Sequence, residues 1–365
     1  YDLISSDILK KSTKQEVEDL YTNWFLEQLS SAWHQAIKED LKDNWCINTL
    51  EQQKDFYHNY ITPILTESDR DKVFVIISDA LRFEIASQLS SELVHESVGT
   101  AKLKAMQGSL PSYTKLGMTA LLPHKSIEFK DDARITIDGI STDGIENRKN
   151  ILEKYENSSI AISSKELIGM SISERKQVFE SKRVVYVYHN TIDSTGDSAK
   201  TEDKVFKASI DTIVEIKELV KAIINANGNR IFITSDHGFI YKRDPIAEDQ
   251  KVKREDIEAL VKNRRFFITK ELNNIDGCIS FPLDYIFENK LYVITPNGYL
   301  RFKTQGGGEK YVHGGSTLQE IVIPLVEYKH VRSDKNDDKY KPTPVDIDLT
   351  NVSKVITNNI VSLNF

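Results

Sequence analysis

Three short runs in this sequence place an Asp or a His directly after an apolar segment. Ser78-Asp79-Ala80-Leu81-Arg82 follows the apolar residues 73–77. His189-Asn190-Thr191-Ile192-Asp193, continuing to Asp197, follows 184–188. Ser235-Asp236-His237-Gly238 follows 231–234. A single Asp after a strand is commonly a helix N-cap, and Asp79 alone would read that way. Taken together, Asp79, Asp193, Asp197 and Asp236, with up to three histidines (His189, His237, His313), match the ligand set of zinc, manganese or magnesium. Close carboxylates repel, and one of each pair would take up a proton unless a cation compensates. Few basic residues share these runs, Arg82 being the exception, so bound cations reconcile the pattern better than ion pairing. A second feature is the loop Gly108-Ser109-Leu110-Pro111-Ser112-Tyr113-Thr114, which leads into a helical pattern over 115–122. A hydroxyl at a helix start, with backbone N–H groups nearby, suits a phosphate. Thr114 is therefore a candidate nucleophile, with a plain N-cap as the alternative. His313 stands beside Gly314-Gly315 and gains weight only from the company of the other ligands.

The elements that must hold these residues follow from the apolar patterning. The runs at 73–77, 184–188, 231–233 and 321–323 are short and continuous, as in strands buried on both faces. Helical patterns separate them, the longest over about 201–226. This alternation predicts an α/β fold with a doubly wound, mainly parallel sheet, whose functional loops lie at the carboxyl ends of the strands. Before it, residues 14–61 read as helical, with Leu20, Trp24, Leu26, Leu29, Trp33 and Ile37 at helical spacing, a break near 44–49, and a further helix over 50–60. The implied organisation is a helical N-terminal segment over 1–68, a catalytic domain over 69–330, and a linker with the start of a β-rich module over 331–365. Gly306-Gly307-Gly308 marks an irregular loop, and no internal repeat is visible.

Composition sets the outer bounds. The 365 residues are 39% hydrophobic and 28% charged, ordinary for a globular protein with a sizeable core. A net charge of −7 disfavours a protein that coats DNA, although bound dications would reverse the local field at a phosphate site. Cys46 and Cys278 are the only cysteines, so neither a disulfide framework nor a thiolate zinc site is expected. No apolar stretch approaches a membrane span, and no signal-peptide pattern is seen. The expected location is the cytoplasm.

The order of motifs resembles the alkaline-phosphatase superfamily and, within it, the PglZ family of bacterial phage-defence (BREX) systems. VFVIISDALRFE, LPSYTKLGMTALLPH, YVYHNTIDSTGD, IFITSDHGFIYK and HGGSTLQEIVIP carry the likeness, over roughly 70–328. The resemblance implies a fold of alkaline-phosphatase type and a metal-dependent phosphoric-ester hydrolase. One metal would be held by Asp79, Thr114, Asp236 and His237, with Thr114 as nucleophile. Pro111-Ser112-Tyr113-Thr114 reproduces the Pro-Ser-x-Thr motif of the nucleotide pyrophosphatase branch, which points to a phosphodiester of nucleotides or nucleic acid. The second metal of that branch takes Asp-x-x-x-His and a late His, here Asp193, Asp197 and His313. Because Asp197 replaces a His, zinc is expected at the first site, and manganese or magnesium competes with it at the second. Arg82 would clamp a phosphoryl oxygen unless it pairs with Glu84. Other BREX proteins would be the partners. The rival reading is a non-catalytic metal-binding assembly module of a BREX complex.

Overall fold

The computed structural model describes residues 11–96, 99–244, 247–248, 251–253, 257–303 and 310–331. The expected loop at Gly306-Gly307-Gly308 and almost all of the expected C-terminal module lie outside these residues.

Seven strands form the central sheet: β1 (Glu51–Gln52), β2 (Val73–Ser78), β3 (Gly99–Gln107), β4 (Ser159–Ser163), β5 (Val184–His189), β6 (Arg230–Thr234) and β7 (Val322–His330). Their spatial order is β1-β3-β7-β6-β2-β5-β4. Neighbours are parallel except at β7, which runs antiparallel to both β3 and β6. Six strands thus share one direction and β7 opposes them. The sheet is the mainly parallel one that the apolar runs predict. Every residue of β2 is buried, because its two faces meet different cores. Val73, Val75 and Ile77 join one apolar cluster, and Phe74 and Ile76 join the other.

The second of these clusters is capped by α1 (Phe83–Glu96) and the long helix Val205–Asn225, through Leu89, Leu93, Ile213, Ile216 and Ile223. The first is covered partly by the N-terminal segment. Ile37, Leu41, Trp45, Phe56 and Ile61 are buried in it, and each full burial contributes about 1.5–3 kcal/mol for a large apolar side chain. The helix expected over 50–60 begins differently. Glu51 and Gln52 pair with Met106 and Gln107 as an edge strand, and a 3-10 turn (Gln53–Asp55) follows.

Two strands, β3 and β4, and a four-stranded sheet between β6 and β7 (Val261–Lys262, Phe267–Thr269, Cys278–Pro282, Tyr292–Pro296) had no place in the sequence reading. In β3 exposed and half-buried residues alternate, Lys102 and Lys104 among them, so no continuous apolar run announces it.

Register decides what meets at the sheet edge. Ile77 lies opposite Tyr188 on one side and Thr234 on the other. The three runs that carry Asp and His therefore leave the sheet level with one another.

Candidate metal centre

Asp79 follows β2 directly, and the next residue, Ala80, has a positive φ of 62°. That left-handed turn costs a non-glycine residue energy. Here the turned backbone brings the Ala80 N–H to Asp236 Oδ1 at 3.1 Å. The His237 N–H donates to the same oxygen at 3.0 Å, and Ser235 Oγ donates to the His237 carbonyl at 2.6 Å. His237 Nδ1 lies 2.9 Å from the Gly238 carbonyl, which can only accept, so Nδ1 carries the proton and Nε2 presents a lone pair. Thr114 is the first residue of α2 (Thr114–Ala120). The capping position belongs to Tyr113, whose side chain makes no capping bond. The Thr114 hydroxyl instead lies 3.1 Å from His237 Nε2. Gly117 permits this approach, since a Cβ there would come within 2.1 Å of the Asp236 carbonyl oxygen.

Besides the Thr114 hydroxyl, His237 Nε2 faces carboxylate oxygens. Asp236 Oδ2 is 3.4 Å away and Asp79 Oδ1 3.6 Å, and neither carboxylate can hydrogen-bond to a nitrogen that is itself an acceptor. Both carboxylate oxygens are buried without a hydrogen-bond partner among the described residues. Asp79 and Asp236 are raised above the usual carboxylate range. Burial is the main cause for each; for Asp79, the charges of Asp236 and Asp193 add to it. Unpartnered buried acceptors converging on one point are what a cation would satisfy, so the residues fit a metal.

A second group of ligand atoms, from Asp193, His237 and His313, lies within 4.8 Å of one another, as does the first, from Asp79, Asp236 and His237. His237 belongs to both. Its ring stacks on that of His313, with centroids 4.1 Å apart and planes 6° from parallel. Burial and then the neighbouring His237 lower the pKa of His313 to about 4, so its imidazole is neutral and able to ligate near pH 7. Asp193 Oδ1 lies 3.7 Å from His313 Nε2 and accepts from the Tyr311 hydroxyl at 3.0 Å.

These carboxylates predict how the metal-free protein responds to pH. A folded-state pKa raised above the unfolded value means that the native state holds protons which the unfolded chain has released. Stability from this source is present at low pH and is lost as pH rises from about 4, where an unfolded Asp titrates, through the raised folded value. In chelator, the melting temperature of wild type should fall relative to Asp79→Asn as pH rises. Added metal should reverse the loss, by about 2.7 kcal/mol at a hundredfold excess over Kd. Parallel pH profiles for the two proteins in chelator would contradict this.

The remaining expected residues lie nearby with other contacts. Asp197 is exposed and outside both ligand groups; with Lys262, Arg264 and His313 it lines an adjacent cavity of about 240 Å³. Its backbone N–H bonds to the Asp193 carbonyl, closing the C-terminal end of the short helix Ile192–Gly196. Arg82 ion-pairs with Glu84 at 2.5 Å and lies over the Phe239 ring, 5.0 Å from its centroid. His189 bridges Ser78 Oγ at 3.0 Å and Glu215 Oε2 at 2.7 Å, and with Asn190 it lines the larger cavity described next.

That cavity, of about 820 Å³, opens on Asp79 and Thr114 and contains a residue that sequence reasoning missed, Arg148. Arg148 stands on the helix Ile145–Tyr155, its Nε donating to the Thr142 carbonyl at 2.9 Å and its guanidinium 4.8 Å from the Tyr188 ring centroid. It forms no ion pair among the described residues, and its charge partly offsets the rise at Asp79. A second missed group is the buried pair Arg265–Glu320. Glu320 Oε1 accepts from Arg265 Nε at 3.0 Å and from the Gly315 N–H at 2.9 Å, and Oε2 accepts from the Thr317 hydroxyl at 2.7 Å. This pair holds the loop that carries His313. Neither Arg148 nor Arg265 follows one of the continuous apolar runs, the positional signal that named the other charged candidates.

The chain is 41% identical over 360 residues to the alkaline phosphatase-like protein PglZ of Bacillus cereus, and 37% identical over 362 residues to the alkaline phosphatase-like protein BrxZ of Escherichia coli. Each match covers 97% of this chain but only 42% and 41% of the relative, so the chain spans about two-fifths of their length. Among solved structures, murine ectonucleotide pyrophosphatase/phosphodiesterase 5 aligns with a TM-score of 0.47 at 12% identity, over 72% of this chain and 88% of that one. Phosphonoacetate hydrolase from Sinorhizobium meliloti aligns with a TM-score of 0.42 at 11% identity, over 71% and 90%. The family model of the BREX system PglZ alkaline phosphatase-like domain matches residues 56–328, and the chain belongs to that family.

Proposed function

We propose that the chain hydrolyses phosphodiesters of nucleotides or nucleic acid, with Thr114 as nucleophile and two divalent cations held by Asp79, Asp236, His237, Asp193 and His313. The observation that carries this reading is the Thr114 hydroxyl, 3.1 Å from His237 Nε2, beside two buried carboxylate oxygens with no hydrogen-bond partner among the described residues. Bound there, the cations would supply Lewis acidity that lowers the pKa of the hydroxyl and draws charge from the phosphoryl oxygens. Thr114 Oγ1 releases its proton to solvent and attacks phosphorus; the bond to one ester oxygen breaks, that alcohol leaves with a proton from water, and a second water cleaves the threonine-linked diester to release the phosphomonoester and restore the hydroxyl. The mixed Asp and His donors suit zinc at both positions. An inward turn of Asp197 would add an oxygen donor that favours manganese or magnesium at the second. Within a BREX system the partners are other BREX proteins, and the location we assign is the cytoplasm. No described helix is long and apolar enough to cross a membrane.

We assign the phosphoryl-oxygen contact to Arg148 rather than Arg82. Arg148 lines the cavity beside Thr114 with no ion-pair partner among the described residues, whereas Arg82 is taken up by Glu84. A charge-assisted hydrogen bond contributes about 1.5–3 kcal/mol. Arg148→Ala should therefore lower kcat/KM about 10- to 100-fold, and Arg82→Ala should change it less than about threefold. The reverse ranking would return the role to Arg82.

The test of the function is hydrolysis of a chromogenic phosphodiester by wild type, with zinc or manganese added and metal content measured on the same sample. Two bound ions without turnover on diester or monoester would favour the non-catalytic assembly module.

A further inference from the structure

We propose that Gln53 is a positioning residue that locks the loop leading to Thr114 against the Asp236–His237 turn, so that the N-terminal segment completes the metal centre. The matched family region begins at residue 56, and Gln53 lies before it. Its side chain is fully buried and spends both amide protons on one turn. Nε2 donates to the Ser235 carbonyl at 3.1 Å and to the Asp236 carbonyl at 2.8 Å. Oε1 accepts from the Ser109 N–H at 3.0 Å, on the loop that runs on to Thr114. One planar amide thus ties two segments more than a hundred residues apart in sequence, with little freedom left in either. The same segment grips the nucleophile loop once more, because Trp45 Nε1 donates to the Gly108 carbonyl at 3.0 Å. It reaches the His313 loop as well, through Trp33 Nε1 on the Ser316 carbonyl at 2.7 Å.

The chemistry explains why position matters. Asp236 supplies two things at once: a carbonyl held by Gln53 and a carboxylate aimed at the site. Fixing the carbonyl fixes the peptide from which the carboxylate and the adjacent His237 project. Groups that orient metal ligands typically change metal affinity or activity 10- to 100-fold when removed. Gln53 does not touch the reacting atoms, so its effect passes through the ligands.

This inference rests on the metal-centre reading, and its test uses a readout that does not need turnover. Gln53→Glu keeps the acceptor for Ser109 and replaces the donor with an oxygen facing two carbonyls. Gln53→Met keeps the length and removes every bond. Zinc affinity of each, measured by calorimetry on protein confirmed folded by circular dichroism, should fall at least tenfold. Where a diester is hydrolysed, kcat at fixed zinc should fall with KM little changed. A lowered melting temperature with zinc affinity within twofold of wild type would overturn the proposal, because a merely structural role predicts that result. Should neither variant fold, Trp45→Phe removes one bond to the same loop and keeps the ring; the proposal requires severalfold weaker zinc binding there, and unchanged affinity overturns it. Zinc binding lost in the variants of a protein that never hydrolyses a diester would leave this inference standing and remove the hydrolase reading alone.

Discussion

Thr114→Ala should abolish diester hydrolysis, with a fall in kcat of at least about a thousandfold, while two metal ions stay bound. The magnitude follows from the role: a nucleophile makes the bond to phosphorus, and its loss leaves only binding and electrostatic stabilisation. Retention of metal follows from the geometry, since Asp79, Asp236 and His237 reach one point without the threonine. The substitution should fold normally. Thr114 is half-buried, its hydroxyl caps nothing, and alanine is the best helix former. Thr114→Ser should restore much of the rate, because it returns the hydroxyl at the same atom. Rate and metal content measured on the three proteins decide the matter. Alanine at this position with undiminished turnover would remove the nucleophile assignment, whatever the metals do.

The second large effect concerns His237. His237 is the residue common to the two ligand groups, whereas Asp193 and His313 belong to one and Asp79 and Asp236 to the other; its single Nε2 lone pair, which faces Asp79 and Asp236, serves one ion. His237→Ala should therefore empty the position at Asp79 and Asp236, weaken the other by removing the ring on which His313 stacks, and eliminate turnover. Asp193→Ala should leave one ion bound, and Asp79→Ala should leave the ion near Asp193 and His313. His237→Ala also leaves two buried carboxylates facing a cavity. Without metal it should lie below metal-loaded wild type in stability, and a lone buried carboxylate avoids that cost by taking up a proton. Metal content by elemental analysis after dialysis gives the ranking. Equal losses in Asp193→Ala and His237→Ala would overturn this ranking.

Much of the site was legible because a parallel strand announces itself locally. An apolar run buried on both faces must end somewhere, and in this fold class its carboxyl end is where polar chemistry collects. Asp79, Asp193, Asp236 and His237 could be named from that rule, and Thr114 from its loop. His313 was weaker, since one histidine beside two glycines says little until the Glu320–Arg265 pair is seen holding its loop. The strands β3 and β4 stayed hidden for the converse reason. In β3 exposed lysines interrupt the pattern, and its place is fixed by pairing with β1 and β7 rather than by its own periodicity.

The identity of the candidate ligands, the strands that carry them and the mainly parallel arrangement were determined by the sequence itself, because each is a local property of a few consecutive residues. Tertiary structure alone decided the rest. It placed Arg148 in the cavity beside Thr114 and gave Arg82 to Glu84. It left Asp197 on the rim, made His237 common to both ligand groups, and brought Gln53 into the turn at Asp236. The reason is physical. Distances between side chains far apart in sequence depend on strand register and on how helices pack over the sheet, and a shift of one residue in either would change every one of these contacts.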